Sequence, residues 1–341
     1  MITQQISSIN SEMQRILNIE LVSVVDQYLN DYPDLYRKMI DYQLGLDSNG
    51  NNDKTQGKRL RPLFVLQVCQ AMGGDWYDAL PAAASVELLH NFSLIHDDIQ
   101  DGSETRRGRD TVWRKWGIAQ AINIGDAMLT LAFLSLGRLE SKVDYKSINS
   151  MKNLLENTCL TLTNGQFLDL AYEKESSLPM ELYWDMVNGK TAVLLSTSCK
   201  LGAMVSGADK SQVDKIGRFG ITFGLAFQVQ DDYLGIWGDP KITGKSQFTD
   251  LISRKKTYPV LQGLMNNKNF SNLWNKLEPV NEVTASELAR HLETEGIKDQ
   301  VTRNFSDLYD TACKELDELN LNKVAAASLI NLLEMIRQRV L

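Results

Sequence analysis

The chain has 341 residues, of which 43% are hydrophobic, and its 43 acidic residues outnumber 36 basic ones to give a net charge of −7. This composition is sufficient for a large buried core and excludes a disordered or collagen-like chain. The net acidity gives no sign of a general nucleic-acid-binding protein. The four cysteines (Cys69, Cys159, Cys199 and Cys313) are far apart and form no CxxC pair. We therefore expect free thiols in a reducing compartment and a cytoplasmic protein.

The sequence contains no run of roughly 18 uninterrupted apolar residues, the length that a transmembrane helix needs. The polar N-terminal segment also lacks the basic start and apolar centre of a secretory signal. We expect a protein without a transmembrane segment.

Helical periodicity dominates from the N-terminus onward. Apolar residues at spacings of three and four predict an amphipathic helix over residues 8–30, and the polar stretch Leu46–Gly57 predicts a mobile loop. Further helices are predicted over residues 58–72, 78–101, 117–142, 147–174, 180–206 and 211–238, before a loop over 238–253 and shorter helices to the C-terminus. With only seven prolines and little strand-like alternation, the sequence predicts one all-α domain over residues 1–341.

A first acidic cluster, Asp97, Asp98 and Asp101, ends the predicted helix over residues 78–101. On a helix Asp97 and Asp101 share one face, where their like charges repel. A bound cation would relieve this repulsion, and oxygen ligands of this kind suit Mg²⁺, which binds through one or two carboxylates plus substrate phosphate. A solvated acidic helix end is the alternative interpretation.

A second acidic cluster, Asp231 and Asp232, lies near the end of the predicted helix over residues 211–238. The C-terminus of a helix carries partial negative charge and disfavours carboxylates. Two aspartate pairs in such positions indicate a cation site. If the two helices face each other, their acidic ends could bind several metal ions around one diphosphate.

Basic residues flank both clusters, and arginine and lysine side chains bind phosphate well. Each basic run alone is typical of a solvated surface, but acidic and basic groups at the same helix ends are what a metal–diphosphate site requires. The residues concerned are Lys58, Arg59, Arg61, Arg106, Arg107, Arg109, Lys245, Arg254, Lys255 and Lys256.

Five segments, GKRLRP, LLHNFSLIHDDIQDGSETRRG, NGKTA, FQVQDDYLGIWGDP and GK…DL…RKKTYP, resemble the trans-isoprenyl diphosphate synthases in order and spacing over roughly residues 55–260. The resemblance implies a large all-α bundle around a central hydrophobic cavity, and a homodimer. It also implies head-to-tail elongation, in which an allylic diphosphate ionises with the help of three Mg²⁺ ions and condenses with isopentenyl diphosphate. A C20 product is expected, with C15 close behind.

The resemblance also assigns roles to individual residues. Direct magnesium ligands are Asp97, Asp101 and Asp231, with Asp98 in or next to the coordination sphere and Asp232 in support. The implied isopentenyl diphosphate pocket consists of Lys58, Arg61, His90 and Arg107. The implied contacts to the allylic diphosphate are Arg106, Lys190, Lys245 and Lys255. Thr191 and Gln228 would join Lys190 at the reacting carbon, and Gln166 and Asp169 would form a further polar pair on a cavity helix.

Two features of the sequence bear on how closely the site follows the family. Gly235 stands where the family usually has a third aspartate in the second motif, and we hypothesise that Asp239 partly substitutes for it. Product length should depend on Phe92 and Ser93, which lie about one turn before Asp97. Glycines at 217, 220 and 224 either leave room for a hydrocarbon tail or allow close helix packing.

Two other classes of protein remain open. A class I terpene cyclase shares the metal-triggered ionisation but needs no second diphosphate pocket, and Lys58, Arg61 and Arg107 argue against it. A non-catalytic helical subunit would have no use for two aspartate clusters.

Overall fold

The computed structural model describes residues 2–46, 57–173, 175, 178–240, 247–266, 268–276, 279–319, 321 and 323–338. Helices dominate this part of the chain, which confirms the predicted all-α class. The predicted loop Leu46–Gly57, except for its two end residues, and Lys245 lie outside the described residues.

The N-terminal half contains seven α-helices among the described residues. They are α1 (Ile2–Leu29), α2 (Asp34–Leu44), α3 (Leu60–Ala71), α4 (Leu80–Gln100), α5 (Val112–Trp116), α6 (Ile118–Gly137) and α7 (Tyr145–Glu173). A short antiparallel hairpin follows α4, with β1 (Thr105–Arg106) paired to β2 (Arg109–Asp110), and a 3₁₀ turn (Arg138–Ser141) follows α6.

The C-terminal half begins with α8 (Met180–Val187), a π-helical segment (Asn188–Ala192) and α9 (Val193–Val205). The described helices that follow are α10 (Lys210–Trp237), α11 (Thr249–Ile252), α12 (Tyr258–Asn266), α13 (Lys268–Lys276), α14 (Glu282–Thr294), α15 (Ile297–Asp317) and α16 (Lys323–Arg337).

The chain divides into two compact units. The first consists of Met1–Leu160, Leu194–Gly217 and Leu319–Leu333, and the second of Thr161–Val193, Arg218–Glu318 and Glu334–Leu341. The single domain over residues 1–341 stays a prediction.

Helix α4 is the central element of the first unit, where it packs against α3 and α6. Its first half is buried on every side, and the small side chains of Ala82, Ala83 and Ala84 let neighbouring helices approach closely. Beyond its first turn, the side chains of this helix become accessible only toward its C-terminal end, where the first acidic cluster lies.

In the second unit, the core holds residues of α10, α12, α13, α14 and α15. Phe223, Val260, Phe270, Leu288 and Val301 are among its fully buried side chains. Asn281 caps α14 by accepting backbone hydrogen bonds from Val283 and Thr284, in a capping box with the Thr284 hydroxyl.

Most long helices lie close to their predicted ranges, but five features differ. Helices α2 and α5 and the β1–β2 hairpin were not predicted, the predicted loop over 238–253 contains α11, and the predicted helix over 180–206 is interrupted by the π-helical segment. Two of the three glycines singled out in the sequence are in close contacts. An added Cβ would lie 2.1 Å from Lys200 Cε at Gly217 and 2.6 Å from Ala192 Cα at Gly224, so the packing interpretation applies to both.

One stretch of the described chain, Ile118–Ser141, is long and apolar enough to pass a test for membrane-spanning helices, with a mean hydropathy of 1.4. A single such helix is weak evidence for a membrane span, since a core helix passes the same test.

Candidate functional site

The first acidic cluster combines accessible and buried carboxylates at the end of α4. Asp101 is exposed and Asp97 is partly accessible, whereas the Asp98 side chain is only 3% exposed. Arg106, delivered by strand β1, donates from Nε to both Asp98 oxygens at 2.8 and 3.0 Å, and its Nη2 lies 3.4 Å from Asp97 Oδ2. Burial raises the pKa of Asp98, and the Arg106 guanidinium partly offsets this. The arginine therefore fixes the buried carboxylate and leaves Asp97 and Asp101 at the surface.

A group of basic side chains lies close to this cluster in the first unit. A Cβ on Gly57 would lie 2.4 Å from Arg107 Nη2, so the absence of a side chain lets the guanidinium rest against the backbone. Arg61 Nη1 lies 3.3 Å from His90 Nε2. Burial, together with the charges of Arg61 and Arg107 among others, lowers the pKa of His90 well below its usual value. His90 is therefore neutral at neutral pH and able to accept a hydrogen bond.

A buried ion pair supports the segment that carries Lys58 and Arg61. Arg59 Nη1 lies 2.5 Å from Glu87 Oε1, and the two side chains are 1% and 3% exposed. Asn91 Nδ2 also donates to Glu87 Oε1, at 2.7 Å, and Arg59 Nη2 donates to the carbonyl of Leu44 at 2.7 Å. Arg59 has a φ of 49°, an uncommon backbone conformation for this residue type. The side-chain contacts of Arg59 hold the turn into α3 in place.

The second acidic cluster also pairs an exposed carboxylate with a buried one. Asp231 is exposed, whereas Asp232 is buried and accepts three hydrogen bonds. The Tyr183 hydroxyl and the Tyr258 backbone NH donate to Oδ2 at 2.7 and 2.8 Å, and Gln228 Nε2 donates to Oδ1 at 2.8 Å. Burial raises the pKa of Asp232 to about 7, because neutral donors offset only part of the cost.

Residues of the NGKTA motif continue the polar network of the second unit. Thr191 Oγ1 donates to Gln228 Oε1 at 2.7 Å, so a chain of hydrogen bonds runs from Thr191 through Gln228 to Asp232. Lys190 Nζ lies 2.5 Å from Asp169 Oδ2. Thus five of the residues named in the sequence analysis form two directly bonded groups.

The remaining predicted residues of the second unit are less closely tied to these groups. Gln166 is half-buried on α7, one turn before Asp169, and Lys255 is half-buried after α11. Asp239, proposed to replace the missing third aspartate, is exposed just beyond α10.

The space beside Gly235 is occupied by a carboxylate from a later helix. A Cβ at Gly235 would lie 1.9 Å from Asp250 Oδ2 and 2.5 Å from Asp250 Cγ. The Asp250 charge also raises the pKa of Asp232, which places it near the second acidic cluster. Asp250 was not predicted as a site residue; its position between the GK and RKKTYP segments was the available signal.

Three further residues escaped the sequence analysis. Glu87, Tyr183 and the backbone NH of Tyr258 each bond to a motif residue far away in sequence. Nothing local marks a glutamate or tyrosine in an apolar helix as such a partner, and only the observation that Arg59 must be paired if buried could have suggested Glu87.

Each unit offers accessible carboxylates, the ligands that Mg²⁺ prefers: Asp97 and Asp101 in the first unit and Asp231 in the second. Among the described residues, no group of three or more His, Cys, Asp or Glu side chains forms a metal-binding cluster.

The fold closely resembles those of known helical prenyl synthases. A crystal structure of a polyprenyl synthetase from Streptomyces coelicolor A3(2) matches with a TM-score of 0.85 and 32% identity, covering 95% of this chain and 98% of that one. A geranylgeranyl pyrophosphate synthetase from Pyrococcus horikoshii Ot3 matches with a TM-score of 0.86 and 28% identity, covering 98% of each chain.

Residues 47–293 match the family model described as Polyprenyl synthetase. The match covers more than half of the sequence, and the chain belongs to this family, which is in general Mg²⁺-dependent.

Curated relatives share similar segments. A geranylgeranyl diphosphate synthase of Mycobacterium tuberculosis (strain H37Rv) is 44% identical over 211 residues, covering 62% of this chain and 59% of that protein. A (2E,6E)-farnesyl diphosphate synthase of Mycobacterium bovis is 42% identical over 226 residues, covering 66% and 62%. The chain thus spans about three fifths of the length of the curated relatives that it matches.

Proposed function

We propose that the protein is a short-chain trans-prenyltransferase that condenses isopentenyl diphosphate with an allylic diphosphate in a 1'-4 head-to-tail reaction. Membership of the polyprenyl synthetase family and the names of the similar relatives support this class. The observation that carries the proposal is that the basic group and both acidic clusters occur together in one chain with the hydrogen-bonding partners described above.

In this proposal each group has its own task. Asp97, Asp101 and Asp231 hold Mg²⁺, three ions with substrate bound, and Asp98 and Asp232 position their exposed neighbours. When bound, Mg²⁺ neutralises the charge that develops on the departing diphosphate. Cationic side chains bind the allylic diphosphate directly; these are Arg106, Lys190, Lys245 and Lys255. Thr191 and Gln228 present oriented dipoles to the reacting carbon, where a cation develops.

The second substrate distinguishes this reaction from that of a terpene cyclase. Lys58, Arg61 and Arg107 supply positive charge for the diphosphate of isopentenyl diphosphate, which a cyclase does not bind. His90 lies against Arg61 and is neutral, so it accepts a hydrogen bond from the arginine and fixes the direction of the guanidinium.

We expect a C20 product, with C15 as the next candidate. Phe92 is buried one turn before the first acidic cluster and packs edge-on against His96, with ring centroids 4.8 Å apart. Its neighbour Ser93 is small, and its hydroxyl donates to the His90 carbonyl. A buried aromatic ring next to a small residue is a partial stop for a growing tail. Phe92→Ala should lengthen the product, as measured by mass spectrometry.

We also propose that the enzyme is a cytoplasmic homodimer. Helix α6 exposes Ile118 and Ile122, which lie one turn apart on one face. We assign this exposed apolar pair to an interface between subunits. Ile122→Glu should shift the molecular mass in solution, measured by light scattering, from dimer to monomer.

The decisive experiment incubates the protein and Mg²⁺ with farnesyl diphosphate, with and without isopentenyl diphosphate. Elongation that requires isopentenyl diphosphate supports the prenyltransferase, and Arg61→Ala should then raise the KM for this substrate. A cyclic hydrocarbon formed without the second substrate would indicate a terpene cyclase, and no turnover with geranyl or farnesyl diphosphate would indicate a non-catalytic subunit.

A further inference from the structure

A π-helical segment interrupts the helix that carries two of the candidate site residues. Residues Asn188–Ala192 have π-helical geometry between α8 and α9. Such segments are rare, and each adds one residue to a turn, which rotates the following side chains by about 100° around the axis. Within the segment, neighbouring residues contact different helices: Lys190 bonds to Asp169 on α7, and Thr191 bonds to Gln228 on α10.

Helix α7 contacts the π-helical segment at a pair of glycines. A Cβ at Gly165 would lie 2.2 Å from Lys190 N and 2.5 Å from Gly189 C. From the other side, a Cβ at Gly189 would lie 3.0 Å from Gly165 Cα and 3.0 Å from the Thr161 carbonyl oxygen. These neighbours are backbone atoms, which cannot rotate out of the way, so any side chain at Gly165 would have to displace the segment.

Helix α10 contacts the same segment in a similar manner. A Cβ at Gly224 would lie 2.6 Å from Ala192 Cα and 2.8 Å from Ala192 Cβ. The backbone of the π-helical segment is therefore in close contact with α7 near Lys190 and with α10 near Ala192.

The two contacts share one spacing. Gly165 lies four residues before Asp169, and Gly224 lies four residues before Gln228. In each helix the glycine and the polar residue therefore occupy one face, one turn apart. The backbone contact therefore fixes the distance between the helices one turn away from the position at which the polar side chains meet.

We propose that Gly165 and Gly224 are positioning residues that press α7 and α10 onto the π-helical segment and thereby hold Lys190 against Asp169 and Thr191 against Gln228. The two glycines act on different steps, which rests on the roles assigned above. Gly165 controls the placement of the lysine that binds the allylic diphosphate. Gly224 controls the placement of the hydroxyl that faces the reacting carbon.

The test compares Gly165→Ala and Gly224→Ala with Gly217→Ala as a matched control. Gly217 is also a buried glycine of α10, but its added Cβ would meet the flexible end of Lys200, which can move aside. We expect a loss of about 100-fold in kcat/KM from a displacement of the order of 1 Å. The loss should lie mainly in the KM for the allylic diphosphate in Gly165→Ala and mainly in kcat in Gly224→Ala, with little change in Gly217→Ala.

Hydrogen exchange of the peptide covering residues 188–192 gives a readout independent of activity. Exchange should be faster in Gly165→Ala and Gly224→Ala than in the parent and in Gly217→Ala. Adding Ala192→Gly to Gly224→Ala removes one of the two clashing atoms and should restore part of the protection and of kcat. Parental exchange and kinetics in both alanine variants would overturn the proposal, as would equal effects in the Gly217→Ala control.

The proposal can still be tested if an alanine variant does not fold or if the parent protein is inactive. If an alanine variant does not fold, Ala192→Gly alone provides the test, because it loosens the α10 contact without a clash. It should then show faster exchange at 188–192 and a lower kcat, and parental behaviour would refute the role of Gly224. If the parent protein lacks prenyltransferase activity, the proposed function fails, while the exchange measurements still decide whether the glycines hold the segment.

Discussion

The two acidic clusters each place a buried aspartate beside an accessible one, yet they stabilise the buried carboxylate by different means. Asp98 is bound by a cation, the Arg106 guanidinium, which contacts both of its oxygens. Asp232 is bound by three neutral donors from Tyr183, Gln228 and the Tyr258 backbone. Burial raises the pKa of both carboxyls; for Asp232 it raises the pKa to about 7, because the neutral donors offset only part of the cost and the Asp250 charge adds to it.

This difference extends beyond the clusters. In the first unit a second buried carboxylate, Glu87, is also neutralised by an arginine, Arg59. In the second unit the chain of hydrogen bonds from Thr191 through Gln228 ends on Asp232. The first unit therefore stabilises its buried carboxylates by ion pairs, and the second stabilises Asp232 by a directional hydrogen-bond network, although its partly accessible Lys190 also pairs with Asp169. Substitutions should separate these two modes.

The largest effect is expected from the accessible aspartates. Asp97→Asn and Asp231→Asn should each lower kcat/KM by about 10³-fold, since each weakens a ligand of the Mg²⁺ that neutralises the departing diphosphate. Neither should change the urea midpoint much, because Asp231 is exposed and the contact of Asp97 with Arg106 is long, at 3.4 Å. Asp214→Asn, at an exposed position in the first turns of α10, is the control and should retain parental kinetics. A variant of either cluster with parental kinetics would remove that cluster from the reaction.

The next largest effect concerns the buried ion pair of the first unit. Glu87→Gln keeps the shape of the side chain but leaves Arg59 buried without a counter-charge, which should cost about 3 kcal/mol of the free energy of unfolding. Urea denaturation measures the loss. Because Arg59 precedes α3, the variant should also raise the KM for isopentenyl diphosphate through Lys58 and Arg61. Full stability in Glu87→Gln would show that this pair is replaceable by a neutral contact, as in the second unit.

The sequence allowed prediction of the helices and of the motif residues, because both signals are local. The spacing of apolar residues predicted the ends of α4 and α10 to within two residues. The two acidic clusters could be read directly from the sequence near the ends of these helices. The partners of the buried aspartates were not predictable in the same way. Tyr183 lies 49 positions before Asp232, and no periodicity relates the two. The hairpin that carries Arg106 has only two residues per strand, too few for an alternating pattern.

Gly235 illustrates another limit of sequence reasoning. From the sequence alone, a glycine in place of the usual third aspartate suggests that a metal ligand has been lost. The nearest downstream aspartate, Asp239, was therefore proposed as its replacement. In the structure the Asp250 carboxylate lies against the Gly235 backbone, and the role of Asp239 stays a prediction. A substitution that removes a side chain can thus make room for another, and only the three-dimensional arrangement shows which one.

A smaller effect distinguishes the two buried aspartates directly. Asp98→Asn removes the nearer counter-charge of Arg106, which keeps only the 3.4 Å contact with Asp97, and should lower the free energy of unfolding by about 2 kcal/mol. Asp232→Asn should cost only about 1 kcal/mol, because the network can reverse: the new amide donates to Gln228, and Gln228 donates to the Thr191 hydroxyl. Urea unfolding at pH 8 measures both values. An Asp232→Asn variant as unstable as Asp98→Asn would mean that the second network also depends on charge.

The last prediction is a pH dependence that originates in the burial of His90 and in the arginines around it. Burial and the charges of Arg61 and Arg107 lower the pKa of His90 in the folded protein. The unfolded chain therefore binds the His90 proton more readily, and stability is retained above about pH 6.5 and lost as the pH falls below it. This loss is at most about 1.4 kcal/mol per pH unit. In His90→Gln the side chain still accepts from Arg61 but does not titrate, so the free energy of unfolding should fall less between pH 7 and pH 5. Equal slopes in the parent and the variant would show that His90 is not the group whose titration lowers stability in this pH range.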